Sequence, residues 1–172
     1  MSRIAAYITR LLFGATGHNT LNTPTVPVIF QTSPGVGNDR GIAELEYRVM
    51  AGSNVVQTGK TGEDGRIEVR IVGGSVVLEL LHNGATVAKY EVKANSAALE
   101  SDSTIKGVQR RLRMLGYQVG HEGTEQVGVS GDVTKLTDRA ILDFQIDQKV
   151  AFDGKVEAGT TGKLNDAVNS IP

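Results

Sequence analysis

Hydrophobic and polar positions alternate in one part of this chain and recur with a helical period in another. Between residues 41 and 94 the period is two. Ala43, Leu45, Tyr47 and Val49 fall on one side of an extended chain, and Glu44, Glu46 and Arg48 on the other. Ile67, Val69 and Ile71 alternate with Arg66, Glu68 and Arg70. Val76, Leu78 and Leu80, then Ala88, Tyr90 and Val92, repeat the pattern. Asp64-Gly65 and Asn83-Gly84 stand at hairpin positions, where positive φ is needed, and Gly73-Gly74 makes a further turn. The pattern predicts a small antiparallel module of about five strands, sandwich-like in form.

From Ile105 the period changes to 3.6. Ile105, Val108, Leu112 and Leu115 form one stripe, and Gly116 ends that helix. A second helix is expected from Val133 to Gln148, with Leu136, Ala140, Ile141 and Phe144 inward. A third starts near Thr160 or Thr161, with Leu164, Ala167 or Val168, and Ile171 inward. Three helices with loops predict a compact three-helix bundle. Residues 95–104, NSAALESDST, are small and polar and read as a linker, with Asp102 or Ser103 capping the helix that follows.

Ahead of the alternating region, residues 2–13 fit a short amphipathic helix. Ser2 caps it, Ile4, Ile8, Leu11 and Leu12 share a face, and Gly14 ends it. A helix this short does not persist alone in water. Its apolar face needs a receiver, either the rest of the chain or another protein. Residues 15–40 carry Pro24, Pro27 and Pro34 and no sheet pattern beyond a short extended stretch from Val26 to Phe30. Pro27 has no N–H to donate and implies an edge position. The tract reads either as a lead-in or as an arm that orders on a partner. The expected fold class is therefore α+β with two small domains: an arm over residues 1–40, the β module over 41–94, the linker over 95–104 and the helical domain over 105–172.

Composition removes several function classes. The chain has 172 residues, 18 Lys+Arg against 19 Asp+Glu and a net charge of −1, without the basic excess of a dedicated nucleic-acid binder. It contains no Cys, which excludes disulfides, thiolate metal sites and Cys nucleophiles. No apolar run is long enough to span a membrane. Arg10 interrupts the first apolar stretch and no small-residue cleavage site follows it promptly. That stretch is read as a helix rather than a signal peptide, and the protein is expected to be made in the cytoplasm. His18, His82 and His121 share no zinc-binding spacing, and no Gly-x-Ser-x-Gly elbow occurs. Gly59-Lys60-Thr61 lacks the upstream Gly of a phosphate loop and lies in a strand region. The expectation is a protein that is not an enzyme and has no cofactor and no metal.

Two stretches resemble known families. Gly59-Lys60-Thr61-Gly62-Glu63-Asp64-Gly65-Arg66 resembles a strand connection of carboxypeptidase-regulatory-like and other Ig-like β modules, which implies a spacer or docking unit. The second resemblance covers about residues 102–170. Ile105-Lys106-Gly107-Val108-Gln109-Arg110-Arg111-Leu112-Arg113-Met114-Leu115-Gly116-Tyr117 resembles the V-x-x-L-Q-x-x-L-x-x-L-G-Y opening of the peptidoglycan-binding domain family. Thr137 to Gln145 resembles its T-x-x-A-V-x-x-F-Q helix. Phe152-Asp153-Gly154-Lys155-Val156, followed by Thr160 and Leu164, resembles its D-G-x-x-G-x-x-T-x-x-x-L block. The departures lie in loops. Ser130-Gly131-Asp132-Val133-Thr134 replaces the first D-G-x-x-G, residues 120–128 lengthen the first connection, and Glu157 stands in place of the second loop's last Gly.

The resemblance implies peptidoglycan as the ligand, with Gln109, Arg113, Tyr117, His121, Gln145 and Asp153 as candidate ligand-binding residues. Gln109 and Gln145 can serve either the loop backbone or the ligand. Lys106, Arg110 and Arg113 share a helix face, either as a solvated face or as an attraction for anionic wall polymer. Ile4, Ile8, Leu11 and Leu12 are the candidate partner-docking residues. A β docking module joined to a wall-binding tip resembles accessory proteins of phage tails, baseplates and type VI-like contractile injection machines. The function expected is a non-catalytic adaptor, with a protein partner in a larger assembly, acting in a virion or injection particle at the cell envelope. The alternative is a structural assembly protein whose bundle contacts protein instead of wall.

Overall fold

In the computed structural model the protein is α+β, with two antiparallel sheets followed by three helices. Residues 5–8 (as backbone), 23–35, 38–94, 98–121 and 128–171 are described. The chain divides into two compact units. The first comprises residues 1–32 and 37–97, the second residues 33–36 and 98–172.

The first unit contains strands β1 (Ala5–Ile8), β2 (Thr25–Gln31), β3 (Glu46–Ala51), β4 (Asn54–Lys60), β5 (Arg66–Arg70), β6 (Ser75–His82) and β7 (Ala85–Lys93). One sheet has the order β1-β2-β5 and the other β4-β3-β6-β7. The alternation of the sequence becomes burial. Tyr47 and Val49, Ile67 and Val69, and Val76, Leu78 and Leu80 are all buried. With Val26, Val28 and Phe30 they form one apolar cluster to which both sheets contribute. Asn83-Gly84, with φ of 52° and 77°, makes the two-residue turn between β6 and β7 that the sequence predicts.

Four expectations are corrected here. Over its described residues, 5–8, the expected N-terminal amphipathic helix is a strand instead. Ala5–Ile8 is a strand paired antiparallel to β2, with Ile8 opposite Val28, while Ile4, Leu11 and Leu12 lie outside the described residues. The stripe that suggested a helix is too short to outweigh an available ladder. Residues 25–31 are not part of an arm: β2 lies between β1 and β5, and Phe30 is fully buried, edge-on to Tyr90 at 6.0 Å. Pro27 therefore sits in a central strand. Its opposite residue is Glu68, whose carbonyl turns away from β2 to accept from Gln57 Nε2 at 2.8 Å, so this is a non-bonded position of the β2–β5 ladder. The missing N–H faces the β1 side, and the described β1 pairing has already ended at Val28. Finally, Asp64-Gly65 does not close a hairpin, because β4 and β5 lie in different sheets. Gly65 has φ +72°, and a Cβ there would lie 2.1 Å from the Phe30 carbonyl oxygen, so the crossing needs glycine.

Where the two sheets meet, Gln57 completes an edge. Its amide donates to the Glu68 carbonyl and accepts from the Arg70 N–H at 3.0 Å, as a neighbouring strand would, and also donates to Tyr47 Oη at 3.0 Å. Thr61 of the Gly-Lys-Thr stretch is buried. Its hydroxyl donates to the Ile42 carbonyl at 2.6 Å and accepts from the Leu45 N–H at 3.0 Å, so it holds a loop.

The outer side of the four-stranded sheet carries a buried acid. The Glu79 carboxylate meets Arg48 at 2.5 Å and Lys89 at 2.7 Å and accepts from Thr86 at 3.2 Å. The Lys89 and Arg48 hydrogen bonds hold its pKa down at about 2, from an ordinary 4.5. A group with a lowered folded pKa binds fewer protons folded than unfolded. Its contribution is complete above pH 4.5 and is lost as pH falls toward 2.

Two outcomes follow for this unit. Phe30→Ala should destabilise it by about 3–5 kcal/mol in denaturant titrations, since β2 supplies core; an arm would lose almost nothing. In urea titrations between pH 5 and pH 2 the midpoint of the wild type should fall more than that of Glu79→Gln, which has no carboxyl at this position to titrate.

Candidate functional site

The second unit contains α1 (Ile105–Met114), α2 (Lys135–Gln148) and α3 (Ala158–Asn169), which share one apolar cluster built on Leu112, Leu115, Ile141, Phe144 and Leu164. Thr104 and Thr134 cap the first two helices, each accepting the N–H three residues on, at 3.0 and 3.2 Å. Gly116, at φ 99°, closes α1: the Tyr117 N–H reaches Leu112 O and the Gly116 N–H reaches Arg113 O, both at 2.9 Å. Leu136, expected inward, is exposed, and Thr137 takes the buried position instead.

Residues 98–104 are not a linker. They belong to this unit and lie against α1. A Cβ on Gly107 would fall 1.9 Å from the Ser101 carbonyl oxygen, so the close approach needs glycine. The buried Arg111 donates to the carbonyls of Glu100 and Gly107 and to Asn165 Oδ1, and Asn165 in turn donates to Asp102 at 2.6 Å. Glu100 takes Arg110 at 3.1 Å and lies 4.0 Å from Lys106, and Arg110 holds its carboxyl below the usual range. Glu100 thus counters both Lys106 and Arg110 within the unit.

Two glutamines organise the loops. Gln109 and Gln145 are both 0% exposed. Gln109 Nε2 donates to the Asp132 carbonyl at 2.7 Å and to Thr137 Oγ1 at 3.0 Å, while its Oε1 accepts the Gly131 N–H at 2.8 Å. Gln145 Nε2 meets the Lys155 carbonyl at 3.0 Å, Thr160 Oγ1 at 3.1 Å and Asp153 Oδ1 at 2.9 Å. Its Oε1 accepts the N–H groups of Asp153 and Gly154 at 3.2 and 2.9 Å. Backbone N–H groups can only donate and carbonyls only accept, so the loops fix which end of each amide points where.

The two loops repeat each other at a constant offset. Ser130, Gly131, Asp132, Thr134 and Thr137 correspond to Asp153, Gly154, Lys155, Glu157 and Thr160. Ser130 Oγ accepts the Asp132 N–H at 3.1 Å as Asp153 Oδ1 accepts the Lys155 N–H at 2.9 Å. Gly131 and Gly154 have φ of 91° and 70°. The Ser-Gly-Asp departure from D-G-x-x-G therefore leaves the turn intact, because a hydroxyl accepts where a carboxylate otherwise would. The resemblance paired these two loops but counted the first as a departure, without the equivalence of their turns. The signal of that equivalence was the recurrence of Gly-x-Val and of the buried Thr after two differently spelled turns.

The candidate residues separate by exposure. Gln109 and Gln145 hold loop backbone, the first of the two readings open to them, and have no surface to offer a ligand. Tyr117 is buried, edge-on to Phe144 at 5.7 Å, with its hydroxyl on Asp147 at 2.6 Å, so it is core rather than a ligand contact. Its apolar ring is worth more inside the cluster than in water. Arg113, His121 and Asp153 are exposed. The Lys155 N–H, then Gln145, lower the pKa of Asp153 and keep it ionised. Phe152, 62% exposed beside Asp153, was not among the candidates. Among the described residues no group of His, Asp or Glu is placed to hold a metal ion, and no helix is long and apolar enough to cross a membrane. Compared with known proteins, the chain matches no family model, no curated protein and no solved structure.

Gln145→Ala should cost about 3 kcal/mol or more in chemical denaturation of the full chain, because it orphans several loop groups worth about 1–3 kcal/mol each. Asp153→Asn retains a side-chain oxygen for the Lys155 N–H and should cost much less.

Proposed function

We propose that the protein is a non-catalytic adaptor that binds peptidoglycan through its helical unit, read as a three-helix bundle. Its β unit, read as a small sandwich, docks onto a larger assembly of the phage-tail, baseplate or contractile-injection kind. The observation that carries the reading is the coincidence of the three sequence blocks with three successive elements. The L-G-Y block ends α1, the A-I-L-D-F-Q block lies within α2, and the D-G block makes the turn into α3. In each of the first two blocks the glutamine is the residue that ties down the loop after its helix. The ligand-facing groups in this reading are the exposed ones, Arg113, His121 and Asp153, with Phe152 offering an apolar face. Docking is assigned to the β unit as a whole and no longer to an N-terminal helix.

A second reading has its own support. Tyr117 and both glutamines are enclosed, and Glu100 counters Lys106 and Arg110, which leaves less for an anionic polymer to engage. In that reading the helical unit contacts protein within the assembly.

Co-sedimentation with purified sacculi separates the two. The adaptor reading expects the full chain to pellet with sacculi and retention to fall at least several-fold in Arg113→Ala and Phe152→Ala, with unchanged thermal unfolding. A wild-type protein that stays in the supernatant at low salt overturns it and leaves the assembly reading.

A further inference from the structure

The second unit is discontinuous, and its small piece is an insertion from the first. Beyond β2 the chain turns back on itself. Gln31 bridges Gly41, and the Thr32 N–H donates to Arg40 O at 2.9 Å. This closes the base of a loop within the first unit. Ser33, Pro34 and Gly35, which follow, belong to the second unit. Gly35 is buried, with φ 101°, and its N–H donates to the Leu115 carbonyl at 2.7 Å.

Leu115 is the C-cap of α1, and its carbonyl is among those a helix end leaves without an internal partner. The neighbouring carbonyls of Arg111, Leu112 and Arg113 are taken by the Leu115, Tyr117 and Gly116 N–H groups. Leu115, Gly116 and Tyr117 are themselves buried. An acceptor there with no partner would carry a full desolvation cost.

We propose that the C-terminal end of α1 is a docking surface for a short bent segment, and that its occupant is this chain's own Ser33-Pro34-Gly35. The segment acts as a strap. It is covalently part of the first half of the chain but completes the fold of the second. Pro34 limits the freedom of the segment before docking, and glycine at position 35 supplies both the positive φ and the N–H. Tyr117 follows directly from the docked end, and the strap therefore sets the order of the region from which Arg113 and His121 emerge.

The test cuts the folded full chain. The full chain, carrying a protease site introduced at residues 95–97, is folded and then cut to completion into fragments 1–97 and 98–172. The strap predicts that the two fragments co-elute in size exclusion and separate in denaturant. Gly35→Pro removes the N–H and forbids the φ, and its cut fragments should separate without denaturant. Wild-type fragments that part at once overturn the proposal, and so does equal retention in wild type and Gly35→Pro. Native-state hydrogen exchange on the uncut wild type needs no variant. The Gly35 amide should share the protection of the α1 amides as denaturant is raised; exchange in step with β2, or unprotected exchange, refutes the strap.

Discussion

A primary amide is the one uncharged side-chain group that both donates and accepts along parallel directions, as a peptide group does. This protein uses that property wherever backbone would otherwise be left open. Gln109 and Gln145 sit behind the two loops of the helical unit and pair with N–H and C=O groups that no helix or strand reaches. Gln57 does the same for the edge of β5. A carboxylate there could not donate, an ammonium could not accept, and an apolar residue would leave buried groups unpaired at considerable cost. The helices can pack into a small core because their connections are fixed by these amides and by the threonines that share them.

This constraint explains why the helical blocks were readable and their purpose was not. Leu112, Ala140, Ile141, Phe144 and Leu164 announce themselves by period, and all are buried as expected. A glutamine at a conspicuous position suggests a ligand as readily as a clamp. Period contains no information on what an amide faces, and only the positions of Gly131 and Gly154 decide the matter. Tyr117 was read as a ligand contact because a ring with a polar tip suits a groove, but such a ring is equally at home in a core, where Phe144 and Asp147 hold it.

The N-terminal third was the least legible. Val26, Val28 and Phe30 alternate, but three residues and an intervening proline make a weak strand signal. The partners that decide the outcome, Ile67 and Val69, lie some forty positions away. The likeness of residues 2–13 to a helix rested on spacing alone, and a non-local ladder outranks spacing in so short a segment. The polar run at 98–104 misled in another way. Composition marked it as a connector, whereas Arg111, Gly107 and Asn165 recruit its carbonyls and carboxylates to the base of α1.

The neck at Gly120 and Gly128 has a consequence for how this unit can vary. A Cβ on Gly128 would lie 2.5 Å from the Gly120 carbonyl oxygen, so the backbones of these two glycines pack directly against each other. Closing a loop between two fixed, adjacent ends costs entropy that grows only logarithmically with its length, about 0.6 kcal/mol for each doubling. Added length between these glycines therefore costs the unit little entropy as long as the two glycines keep their contact.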